Sequence, residues 1–181
     1  MKTSFISCSI FILSIFISCH TIAAAKSSVQ VSLTWTYKNF PLKIQVYKVT
    51  PAKTAFISET RIVKDLKSAP IEDKITAPIK VEIDSSYPAV LVVENNTDKD
   101  AYFFAVPHEV HPVSASAGHF FECLCIGRLY KVPKKSVWYR IVRININSSF
   151  QDVKKFDIEH QIIGKTEAEA NGPEKDRLYN Y

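Results

Sequence analysis

The chain has 181 residues, 46% of them hydrophobic and 23% charged, with a net charge of +5. That length suits one domain and is enough to bury a real core. Lysines are scattered, and the largest local excess, Lys131, Lys134 and Lys135, is too small to point to nucleic acid; it reads as a solvated loop, or at most as a weak docking patch for an acidic partner or an anionic membrane surface.

The N-terminus has the layout of an export signal. Lys2 precedes the apolar run Phe5 to Ile17, and Thr21-Ile22-Ala23-Ala24-Ala25 offers a small-residue cleavage site before Lys26. The run is short for a bilayer span, which takes about 20 residues. Residues 1–25 are therefore expected to be a signal peptide, which predicts export, most simply to a bacterial periplasm. An uncleaved membrane anchor, or a lipid anchor on Cys19 in Phe16-Ile17-Ser18-Cys19, are the other readings.

Downstream the dominant period is two. Val29, Val31, Leu33, Trp35 and Tyr37 alternate with polar residues, as do Leu42, Ile44 and Val46 and then Ile79, Val81 and Ile83. Ser58 to Lys67 is a weak helix candidate. Ala89 to Val93 is continuously apolar, as a central strand is, and Asn95-Asn96-Thr97-Asp98 marks a turn. Ala101 to Val106 is a further strand that stops at Pro107. Val137 to Ile146 alternates again, with Trp138 and Trp35 as core aromatics. Short strands separated by turn and proline signals predict an all-β sandwich of immunoglobulin-like build over residues 26–162. Residues 163–181, with Gly164, Gly172, Pro173 and alternating charges, predict a frayed helix or a flexible, disordered polar C-terminal tail.

Removal of residues 1–25 takes Cys8 and Cys19 with it and leaves Cys123 and Cys125 as the only cysteines, in HFFECLCIGRL. A general disulfide framework uses more. If Phe120 to Ile126 is a strand, both thiols project on one face about 6.5–7 Å apart, a geometry that opposes a relaxed disulfide and suits a soft metal such as Cu(I). Three readings stay open: a metal pair, a disulfide or redox pair, and buried thiols without a role.

Several pieces around this pair match, in order, those of a known family. Ile79-Lys80-Val81-Glu82-Ile83 is a strand ahead of the central ones. Val92-Val93-Glu94-Asn95-Asn96-Thr97 is a strand that ends in an Asn-x-Ser/Thr-type turn. Ala101 to Pro107 is a strand ending in Val-Pro. Ala117 to Cys125 is an aromatic approach to Cys123-Leu124-Cys125-Ile126, and Leu129 to Val137 carries Val132-Pro133-Lys134-Lys135 into a strand. From about residue 70 to 147 the chain resembles the CtaG family of copper chaperones that help assemble the CuB centre of cytochrome c oxidase. The resemblance implies an immunoglobulin-like sandwich, Cu(I) held by Cys123 and Cys125, dimerisation through copper, and delivery to a copper-accepting protein such as an oxidase subunit. The chain departs from the family in having a cleavable signal in place of a membrane anchor, no cysteine between Lys26 and Lys53, and Leu124 and Ile126 where aromatics are usual.

Of the histidines, His119 lies four residues before Cys123 and is a candidate third ligand or tuning group, whereas His108 and His111, flanking Glu109-Val110, read more simply as surface or turn residues. Nothing marks an enzyme: no nucleophile elbow and no Gly-rich phosphate loop is present, and Glu82 with Asp84 and Asp98 with Asp100 read as solvated carboxylates. The expectation is an exported, non-enzymatic Cu(I) carrier. The alternatives are a periplasmic thiol–disulfide protein, or an immunoglobulin-like interaction module with incidental cysteines.

Overall fold

Apolar side chains on alternate positions from Val29 to Tyr37 make one long strand, β1 (Ser28–Lys38). The computed structural model describes residues 27–51, 59–122, 124–150, 153–172 and 175–179; the expected signal peptide and Cys123 lie outside them. The remaining strands are β2 (Ile44–Val49), β3 (Thr60–Val63), β4 (Ile71–Lys74), β5 (Ile79–Glu82), β6 (Ser85–Asn95), β7 (Ala101–Ala105), β8 (Glu109–His111), β9 (His119–Phe121), β10 (Leu129–Val132), β11 (Ser136–Ile146) and β12 (Lys155–Lys165). One sheet runs β10-β7-β12-β1-β5 with β8 also on β12, and the other runs β3-β11-β6-β2-β4 with β9 also on β11. The fold is the expected all-β sandwich of two layers.

The strand faces explain the layering. Between the sheets lies the main core, which takes Val29 and Val31 of β1, Leu91 and Val93 of β6, Phe103 of β7, Trp138, Val142 and Ile144 of β11, and Phe156, Ile158 and Ile162 of β12. Ala89 to Val93 of β6 are buried on both faces. Their outward side chains Val90 and Val92 join Tyr47, Val49, Val137 and Ile141 in a second cluster, against which Val63, Leu66 and Ile71 pack. A continuous apolar run is what a strand covered on both sides needs.

The helix expected from Ser58 to Lys67 is replaced by β3 and a short 3-10 turn at Leu66–Ser68, Ser58 itself lying outside the described residues. Pairing with β11, from Thr60↔Arg140 to Val63↔Val137, overrides the weak local helical preference. Asn95, fully buried at the end of β6, bonds through Nδ2 to the carbonyls of Lys99 (2.9 Å) and Val132 (3.0 Å), while its Oδ1 accepts from Thr97 N (3.1 Å) and Thr97 Oγ1 (2.7 Å). The expected turn is thus tied to β10 by one side chain. The basic cluster is largely neutralised locally, Lys131 pairing with Asp100 (2.7 Å) and Lys135 with Asp98 (3.2 Å).

The boundary expected at Ile163 falls inside β12, and the residues after that strand dock on the sandwich. Helix α1 (Glu167–Asn171) is one short turn closed by a capping box: Thr166 Oγ1 accepts from Glu169 N (3.2 Å), and the Glu169 carboxylate accepts from Thr166 N (2.8 Å). Ala170 packs with Tyr102, Leu129 and Leu178 on the outer face of the first sheet. Tyr179 donates its N–H to Leu129 O (2.8 Å) and stacks on Tyr130 with ring centroids 5.4 Å apart.

Candidate metal centre

In β12, Phe156, Ile158, His160 and Ile162 all face the core, so the period of two places an imidazole where the strand otherwise places apolar side chains. His160 is 0% exposed, and neither ring nitrogen has a hydrogen-bond partner. Burial, reinforced by the neighbouring His108, pushes its pKa down to about 3, so the ring is neutral with an available lone pair. On one side it stacks on Trp35, its register partner in the parallel β1–β12 pairing, with centroids 4.8 Å apart. On the other side stands His108, centroid to centroid 5.2 Å.

His108 is placed by a break in the sheet edge. β7 and β8 pair with the same edge of β12, Ala105 opposite Ile162 and Glu109 opposite Glu159. Between them Val106 still donates to Gln161 O (2.9 Å), and then Pro107, lacking an N–H, ends the ladder. The chain steps off the edge there and His108 sits beside His160. Half-buried, it too has a lowered pKa, first from burial and second from the nearby His119.

Cys125 comes from the other sheet. β9 pairs with β11 only from His119↔Ile146 to Phe121↔Ile144, and Glu122 N adds one more bond to Arg143 O (3.0 Å). The strand expected to run to Ile126 stops there, because Leu124 turns inward and is fully buried. Ile126 N then donates to Leu124 O (2.9 Å), closing a three-residue turn around Cys125, and Gly127 follows with φ +72°. The face argument built on an extended C-x-C therefore does not apply at Cys125. Cys125 is disulfide-bonded. The other three cysteines of the chain all lie outside the described residues.

Cys125 Sγ lies 3.4 Å from His108 Nδ1, and one donor atom each from His108, Cys125 and His160 fall within 4.8 Å of one another. With the disulfide reduced, two neutral imidazoles and one thiolate would offer a soft set of two nitrogens and one sulfur, of the kind copper or zinc takes. His119 is close but outside this triad: its ring is 5.8 Å from that of His108, and its Nδ1 lies 3.0 Å from Ala115 O. A carbonyl only accepts, so Nδ1 carries the proton and Nε2 the lone pair. His111 is on the exposed side, 3.6 Å from the Glu109 carboxylate.

Of the residues expected to matter, the structure thus brings Cys125 next to a histidine, but that histidine is His108, which the spacing assigned to a turn. His160 had one legible signal, its position in phase with Phe156, Ile158 and Ile162, and that signal depends on recognising β12 as a strand. No curated protein matches the chain. A family model described as a domain of unknown function, DUF8709, matches residues 29–165, which span β1 through β12 and contain His108, Cys125 and His160. The chain belongs to this DUF8709 family.

Proposed function

We propose that the protein is an exported copper carrier that holds Cu(I) between His108, Cys125 and His160 and hands it to a copper-accepting protein. One observation carries this reading: a fully buried imidazole with both nitrogens unpartnered lies within ligand distance of a sulfur and a second imidazole. Leaving such a polar group unpaired costs about 1–3 kcal/mol, an expense that a bound soft metal would offset. Cu(I) is stable with two or three ligands, so one chain can supply a sufficient set, and low coordination leaves room for an incoming ligand before an old one departs. The CtaG-like stretch from about 70 to 147 supports a cuproenzyme client such as cytochrome c oxidase. In the disulfide-bonded form the sulfur is committed elsewhere, so loading follows reduction by a dithiol. No helix among the described residues is long and apolar enough to cross a membrane.

The test is anaerobic Cu(I) titration of dithiol-reduced protein. One equivalent is expected to bind. Cys125→Ser and His160→Leu are each expected to weaken binding by more than the about 10–100-fold typical of a lost outer-shell partner. Unchanged affinity in both variants sinks the proposal.

The disulfide at Cys125 favours a second reading, a thiol–disulfide protein. Under that reading reduced protein would take up no copper but would exchange its disulfide with protein thiols, and Cys125→Ser would abolish the exchange while His160→Leu would not.

A further inference from the structure

Of the triad only His160 is fully buried; His108 and Cys125 are half-buried, and His108 is the member that meets a groove. His108 lines this groove of about 530 Å³ together with His111, Val113, Ser116, His119 and Phe120. The imidazoles are graded along it: His111 is exposed, His119 and His108 are half-buried, and His160 is fully buried. Val113 and Phe120 are 75% and 60% exposed, which puts an apolar rim around a histidine-lined floor. The groove ring nearest His108 belongs to His119, and its hydrogen bond to Ala115 O leaves Nε2 as the lone-pair nitrogen.

We propose that Cu(I) enters and leaves the triad through this groove, with His119 as a transient ligand that receives the ion while His108 still holds it. The inference rests on the copper reading of the triad. On exit, a bond from Cu(I) to His119 Nε2 forms as the bonds to His160 and Cys125 break. Copper stays Cu(I), no electron moves, and the released Cys125 thiolate takes a proton from water. The outer ligand is then replaced by one from the acceptor.

The experiment is stopped-flow transfer of Cu(I), under anaerobic conditions, from loaded full-length protein to a soluble phenanthroline-type chelator, with equilibrium affinity measured in parallel by competition with the same chelator. His119→Ala is expected to slow transfer by about tenfold, equivalent to about 1.4 kcal/mol at the barrier, while affinity changes far less. Ser116→Trp, which fills the groove while leaving every proposed ligand in the chain, is expected to slow transfer as well. Wild-type transfer rates in both variants of a copper-loaded protein overturn the route and leave the copper site standing. Loss of affinity in His119→Ala in step with the rate also overturns it, since His119 would then be a resident ligand. A reduced wild-type protein that takes up no Cu(I) overturns the copper reading and the route together.

Discussion

His160 trades stability against use. Its folded pKa of about 3 lies below the ordinary 6.5, so the unfolded chain binds a proton below about pH 6.5 that the folded chain refuses until about pH 3. The stability contributed by the neutral ring is therefore complete above pH 6.5 and is lost as pH falls toward 3, at about 1.4 kcal/mol per pH unit. His108, also depressed by burial, adds in the same direction. His160→Leu removes the titration and the two unpaired nitrogens at once. It is expected to make the metal-free protein about 1–3 kcal/mol more stable at pH 7 and to flatten the decline between about pH 6.5 and 4. Urea midpoints across that range check both; a less stable variant with an unchanged acid slope would contradict this account. Asn95 shows the opposite case, a buried polar residue with its amide donor and carbonyl acceptor engaged. Asn95→Ala leaves the Lys99 and Val132 carbonyls without that donor, and an equilibrium unfolding curve is expected to show a loss of about 1–3 kcal/mol.

At the scale of elements, the site exists because strand pairing is interrupted in two places. β7 and β8 would be one strand without Pro107, and the gap between them is where His108 sits. β9 ends early because Leu124 is buried, which turns Cys125 out of the sheet. β1 and β11 were legible by the alternation of their inward apolar residues, and β6 by its continuous apolar run. The site was less legible because its residues come from the ends of runs and from β12, whose inward phase is broken by a histidine. The docked C-terminal segment was likewise hidden by its polar composition: Ala170, Leu178 and Tyr179 are few, but each meets an apolar partner on the sandwich. Ending the chain after Lys165 is expected to cost at least about 2 kcal/mol, from exposure of the Tyr102–Leu129 surface and loss of the Tyr179 stack on Tyr130. Chemical denaturation of the truncated chain against the full one measures this, and equal midpoints would show that the segment contributes nothing.

At the scale of the whole molecule, the sandwich brings two sheets together with a ligand set divided between them: His108 and His160 belong to the first sheet and its edge, Cys125 to the loop leaving the second. Such a site forms only when the layers are packed, so metal binding and folding are coupled, and bound copper should raise the unfolding temperature of the reduced protein. The most direct test of the central claim is copper-edge X-ray absorption on reduced, Cu(I)-loaded protein. The account predicts imidazole nitrogens, two of them, beside sulfur in the copper coordination shell. A shell of sulfur alone would return the site to the two thiols of Cys123 and Cys125 and contradict the role assigned here to His108 and His160.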